Sequence, residues 1–224
     1  YDISNGNLLR LIPTEETIVK NNFINNLSVF GDTSFFLNTY GSLYSLNNEE
    51  ININWFINLN QSLDINPSNL FLGTSIINDK DNVITSSDEF LYVLDISTGS
   101  IKFKKNFPTF IQPILVNDKL FLITKNGILI SMSVEDGNII YSYDINEKIS
   151  KFLKIKKKSA RFKSIMLINS KLFIFLENSY VLKLRIDGNI DKIFKLPTKI
   201  RSYPIIINES LIYLDKNNKI SILN

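Results

Sequence analysis

The side chains available for chemistry here are carboxylates, amides, hydroxyls and amines, because the chain contains no cysteine and no histidine. A thiol nucleophile, a disulfide framework, a Cys/His zinc site and a Ser-His-Asp triad are therefore excluded within it. The densest oxygen cluster is Asn78-Asp79-Lys80-Asp81-Asn82, with Asp88 shortly after. Calcium takes carboxylate and amide oxygens, so Asp79, Asp81, Asn82 and Asp88 are candidate ligands. Asn and Asp are also the ordinary residues of polar turns, and Lys80 would oppose a cation, so a structural turn is the preferred reading. No catalytic, cofactor-binding or metal-binding residue is assigned.

A second feature is cationic. Lys148, Lys151, Lys154, Lys156, Lys157, Lys158, Arg161 and Lys163 follow one another with no acidic residue after Glu147. Phe152, Leu153, Ile155 and Phe162 are interleaved with them. Such a stretch fits an anionic surface: phospholipid headgroups, an acidic protein or nucleic acid. A solvated inter-blade loop in a lysine-rich chain is the preferred reading. Nucleic acid is the least favoured, since more Arg and exposed aromatics would be expected for it. Lys151, Lys154, Lys156, Lys157, Lys158 and Arg161 are the candidate partner contacts, and the loop 74–89 is a second candidate region.

The elements that position these residues recur. Leu91-Tyr92-Val93-Leu94-Asp95-Ile96-Ser97-Thr98-Gly99, followed by Phe103, is the clearest copy of one phrase. Further copies start at Leu43, Leu129, Val181 and Ile220, in steps of 48, 38, 52 and 39 residues. Strand-made repetition at this period is the signature of a β-propeller, one repeat per blade. Repeats are expected over approximately 23–59, 68–107, 110–146, 162–196 and 203–224, in a single domain of four-stranded antiparallel blades. In the Leu129 copy the strands are Gln112–Val116, Lys119–Thr124, Gly127–Val134 and Asn138–Tyr143, with Asn-Gly and Asp-Gly at the turns. Apolar runs at the start of each repeat, such as Pro204 to Ile207, read as inner strands buried on both faces. Tyr44, Tyr92, Phe121, Phe173 and Tyr213 read as blade packing. No segment reads as a helix.

The ends are complementary. Tyr1-Asp2-Ile3-Ser4-Asn5-Gly6-Asn7-Leu8 aligns with Leu94 to Ile101, so residues 1–12 are expected to supply an outer strand. The last repeat stops where an outer strand would begin. Pairing the two would close a five-bladed ring; otherwise the chain is part of a larger ring, eight-bladed in one version. The chain opens at Tyr1 and not at Met, which reads as a processed or trimmed product whose targeting information lies upstream.

Bulk composition is that of a globular chain. Of 224 residues, 44% are hydrophobic and 21% charged. The net charge is +3, too weak alone to argue for nucleic acid. No run reaches the length of a membrane-spanning helix. The three Asn-x-Ser sequons, at Asn26, Asn60 and Asn208, are what an Asn-rich chain gives by chance.

The pattern Leu-Tyr-x-Leu-Asp-x-x-Thr-Gly-x-x-x-aromatic resembles the repeat of PQQ-type, quinoprotein-like propellers. In that family the terminal aromatic, usually Trp, docks on the adjacent blade. The matching positions here are Arg10, Trp55, Phe103, Tyr141 and Lys192, so the resemblance implies blade-docking roles for Trp55, Phe103 and Tyr141. Thr98-Gly99 matches fully; Asn5-Gly6, Asp136-Gly137 and Asp187-Gly188 match in part. Two branches of the family imply different tasks. The BamB-like outer-membrane assembly lipoproteins are non-catalytic scaffolds. The PQQ-dependent alcohol and glucose dehydrogenases carry a quinone on calcium beneath a vicinal Cys pair, which this chain lacks. Cytosolic WD40 or kelch adaptors are a third reading, without their Gly-His and Trp-Asp signatures: Trp55 is followed by Phe56. The leading expectation is a BamB-like periplasmic scaffold without cofactor or small-molecule substrate. It would bind protein and not nucleic acid, with peripheral or lipid-anchored attachment to the outer membrane.

Overall fold

Short apolar alternations separated by Asn, Asp and Gly turns fold into consecutive antiparallel strands. The computed structural model of the chain describes residues 1–8, 11–14, 26–60, 71–156, 158–208 and 210–223. They divide into two compact units, Tyr1–Phe110 and Ile111–Asn224. The first unit holds two four-stranded sheets. One comprises β1 (Asn26–Phe30), β2 (Thr33–Leu37), β3 (Ser42–Asn47) and β4 (Asn52–Asn58). The other comprises β5 (Ile77–Asn78), β6 (Asn82–Ser86), β7 (Leu91–Asp95) and β8 (Ile101–Lys105).

The second unit begins with β9 (Ile114–Val116), β10 (Lys119–Ile123), β11 (Ile128–Ser133) and β12 (Ile139–Asp144). Helix α1 (Ile145–Leu153) follows. Then come β13 (Phe162–Ile168), β14 (Lys171–Leu176), β15 (Tyr180–Arg185) and β16 (Ile190–Lys195). A three-stranded sheet ends the unit: β17 (Ile205–Ile207), β18 (Ser210–Leu214) and β19 (Ile220–Leu223). In every sheet each strand pairs with the next in sequence. These are the four-stranded antiparallel blades of a β-propeller, and the all-β class read from the sequence holds.

The four complete sheets repeat one irregularity. Between the third and fourth strands the register slips by one residue, leaving Asn54, Lys102, Ile140 and Asp191 as the extra residues. Trp55, Phe103, Tyr141 and Lys192 lie beside the slip, opposite Ser45, Val93, Ser131 and Lys183. A bulge bends its strand and re-aims the adjacent side chain. The preceding turn repeats as well. Asp95 accepts from the backbone N–H groups of Ser97 and Thr98 through its side chain, and from Gly99 through its carbonyl. Asp2 receives Ser4 and Gly6 in the same way, so Tyr1–Asn7 closes the same turn.

The core lies between neighbouring sheets. In the first unit Phe35, Leu37 and Leu43 meet Val83, Tyr92 and Leu94. In the second, Phe121, Ile123 and Leu129 meet Leu172, Ile174 and Leu182, and Phe175 and Val181 meet Tyr213. Apolar burial of this kind contributes about 25 cal/mol per Å² and is the main term holding one sheet on the next.

Four expectations are corrected. First, burial is deepest in second and third strands such as β6, β7, β10 and β11, not in the first strand of each sheet. Ile205 and Ile207 of β17 are about half exposed, because a first strand has one strand neighbour and less covering. Second, residues 74–89 are not a loop. Thr74 pairs with Ser86 through backbone and hydroxyl, and β6 is wholly buried, which leaves Lys80, Asp81 and Glu89, in two separate turns, as the exposed residues of the segment. Third, residues 9–10 of the expected outer strand 1–12 lie outside the described residues, residues 7–8 and 11–14 are in no strand, and β19 pairs with β18 alone, so among the described residues no hydrogen bond closes the ring. Fourth, a helix exists. Asp144 caps α1 by accepting from the N–H groups of Asn146 and Glu147, Glu147 pairs with Lys151 at 2.6 Å, and Lys154 ends it in the left-handed region. The lysine run masked the Ile145, Ile149, Phe152 spacing that makes one apolar face.

Candidate functional site

Two of the three expected docking residues, Trp55 and Tyr141, sit in equivalent settings. Trp55 extends from β4 to the β7–β8 turn, where its indole N–H donates to the Ile96 carbonyl at 3.0 Å. Its ring covers Gly99, whose φ is +71°; a Cβ there would lie 2.5 Å from the indole. Tyr141 extends from β12 to the β15–β16 turn and donates its hydroxyl to the Ile186 carbonyl at 2.8 Å. Tyr143 stacks on Tyr141 with centroids 5.9 Å apart and donates to the Gly188 carbonyl. Gly188, at φ +82°, faces both rings, and a Cβ would come within 2.8 Å of each. Phe103 is half-buried on β8, with the Lys105 amine 5.9 Å from its ring.

Two members of this lock carry no family signature. Tyr143 lies two residues beyond the family's aromatic position. Lys148 donates to Gly188 at 3.2 Å and sits 3.7 Å over the Tyr143 ring. The spacing Tyr-x-Tyr on one strand face, followed by a lysine one helical turn on, was the available signal. Burial pushes Tyr141 up to about 12 and raises Tyr143 still further.

The acidic loop is consumed by its own turn. An Asp79 oxygen accepts from the N–H groups of Asp81 and Asn82, and the Asn82 amide donates to both Asp79 oxygens. Lys102 donates to the Asn82 side-chain carbonyl and to the Asp81 backbone, each at 2.9 Å. An amine therefore occupies the place a cation would take. Asp81 pairs with Lys80 at 3.6 Å, and Asp88 lies in the separate turn before Phe90. Among the described residues no three His, Cys, Asp or Glu side chains gather as a metal site.

The basic stretch is an excursion anchored at its base. The Ile145 N–H donates to the Gly127 carbonyl at 2.9 Å. The buried Asn146 side chain accepts from the Ala160 N–H at 2.8 Å, clamping the outgoing and returning chain. Lys151 is an exposed helix residue paired with Glu147, and Arg161 lies 3.9 Å from Glu177. Lys154, Lys156 and Lys158 are exposed, and Lys157 lies outside the described residues. The described candidate contacts thus share one excursion, apart from the locks.

No protein-family model matches the chain, and no curated protein matches it in sequence. Solved structures do match in fold. BamB from Moraxella catarrhalis superposes with a TM-score of 0.56 at 11% identity, over 88% of this chain and 68% of that one. The computationally designed Ika8 protein gives 0.63 at 9% identity, over 88% and 56%. The quinohemoprotein alcohol dehydrogenase from Comamonas testosteroni gives 0.68 at 10% identity, over 89% and 41%. The chain spans between 41% and 68% of the length of these structures. Stacked four-stranded meanders, glycine turns covered by aromatic rings and these likenesses together identify the fold as a β-propeller, similar in fold to BamB and to the quinohemoprotein alcohol dehydrogenase.

Proposed function

We propose that the chain is a non-catalytic propeller scaffold for protein–protein interaction, acting in the periplasm as the BamB-like resemblance implies, in the assembly of outer-membrane β-barrel proteins. The observation that carries the reading is where the polar side chains go. Asp2, Asp79, Asp95, Asp187 and Asp215 all accept backbone N–H groups inside turns. These carboxylates hold strand ends and are not aimed at a shared reacting centre. Aromatic locks brace neighbouring sheets, so turns and excursions are presented with little order left to gain on binding. No described helix is long and apolar enough to cross a membrane; in this reading attachment to the outer membrane is peripheral or through a lipid.

The test is capture of the tagged protein from its native cell after envelope fractionation. Recovery with outer-membrane assembly proteins is the expected outcome. A cytosolic location with no envelope partner overturns the reading. Intact mass and N-terminal sequencing of the native species add to this: a longer, lipidated protein with further repeats is expected. The likeness to a quinohemoprotein dehydrogenase favours a second reading, an enzyme related to PQQ-dependent dehydrogenases. It predicts saturable uptake of the quinone with calcium, followed by the cofactor's absorbance.

A further inference from the structure

The apolar stripe of α1 outruns the core it packs on. Ile145 is fully buried and Ile149 packs against the cluster around Phe121 and Leu172. One turn later Phe152 is 48% exposed, Leu153 39%, and Ile155, just past the cap, 52%. These three emerge next to Lys154, Lys156 and Lys158, all exposed. The base of the excursion is clamped by Asn146 to Ala160, so the tip is held out from the sheets by a fixed stem.

We propose that this tip is a docking site for an anionic phospholipid bilayer. The chemistry matches two requirements at once. Interfacial helices bury aromatic and aliphatic side chains at the headgroup–acyl boundary and ring them with lysines for the phosphates. The long lysine stems reach headgroups while the neighbouring Phe, Leu and Ile enter the apolar layer. A soluble acidic protein would satisfy the lysines, but it gives no reason for three apolar residues clustered at the helix end to stand in water among them. No acidic residue lies between Lys148 and Lys163 to oppose the approach. Each lysine near an anionic membrane surface adds about fivefold to partitioning, so Lys154, Lys156 and Lys158 together supply roughly a hundredfold. The inference stands apart from the scaffold reading, since vesicle binding and capture of protein partners are read separately.

The test is co-sedimentation of the whole chain with vesicles of phosphatidylcholine alone, or with about one-third phosphatidylglycerol. Binding to the anionic vesicles only, weakened at about 1 M salt where the Debye length is about 3 Å, is expected. Reversing the charges (Lys154→Glu, Lys156→Glu, Lys158→Glu) should cut binding by a hundredfold or more. A second variant, Phe152→Ser with Ile155→Ser, keeps every charge and should cut it at least tenfold. All five positions are exposed, so thermal unfolding should hardly move, and a variant that does unfold is replaced by Lys156→Glu alone. Equal binding to neutral vesicles, no binding to anionic ones, or indifference to the serine variant overturns the proposal. The last result, together with retention on polyglutamate, would assign the lysines to an acidic protein instead.

Discussion

Trp55 and Gly99 illustrate how much of the fold rests on single atoms. Gly99→Ala would place a methyl group 2.5 Å from the indole while holding an L-residue at φ +71°. Left-handed strain and overpacking together predict a loss of about 2–4 kcal/mol, read as a lowered urea midpoint. Trp55→Phe keeps a ring but deletes the donor to Ile96, at a cost of about 1 kcal/mol. Ile51 makes the opposite case. It occupies the position that Gly99 and Gly188 fill in other sheets, at φ +55°, with a β-branched side chain. Ile51→Gly should therefore stabilise the protein by up to about 1 kcal/mol and raise the unfolding temperature; a lower temperature would show that the isoleucine's contacts outweigh its backbone strain.

At the scale of elements, α1 is the test of how local signals act. Asp144→Ala removes the acceptor for Asn146 and Glu147 and should cost about 1 kcal/mol. Hydrogen exchange resolves the effect: the amides of Asn146 and Glu147 should exchange faster, and those of β10 and β11 should keep their protection. The strands were legible because Asn126-Gly127 and Asp136-Gly137 punctuate alternating runs, and β10 and β11 fall within a residue or two of where those turns put them. The turn at Asn169-Ser170, both at positive φ, was likewise readable. The helix was not, because Lys148, Lys151 and Lys154 join its short Ile145, Ile149, Phe152 stripe to the longer basic run that follows. Residues 74–89 were misread because Asn78 to Asn82 looks like a loop, although Asn82 already begins a buried strand. Tyr143 escaped notice because its partner, Gly188, lies 45 residues away, and periodicity carries no such pairing.

Across the whole molecule, charge and burial define a pH window for stability. The carboxyls of Asp95, Asp136 and Asp187 are held below their ordinary value first by the turn N–H groups of Thr98, Asn138 and Asn189, and that of Asp191 by the Lys171 amine that donates to it. Their unfolded value is 3.8. The stability they contribute is therefore complete above that value and is lost as pH falls through the lowered ones. Tyr92 and Tyr141 act at the other limit. Burial, reinforced at Tyr92 by Glu89 and Asp88 and at Tyr141 by Asp187, pushes each up to about 12 from 10.0. The unfolded chain releases those protons first, so this contribution is present below pH 10 and disappears as pH rises toward 12. The urea midpoint should thus be flat from about pH 5 to 9 and fall on both sides. Tyr143→Phe tests whether buried phenols cause the alkaline fall. Removing one buried phenol that must ionise should make the alkaline fall shallower and reduce the tyrosinate absorbance that accompanies unfolding. An unchanged slope would show that the Tyr143 phenol has no part in the fall.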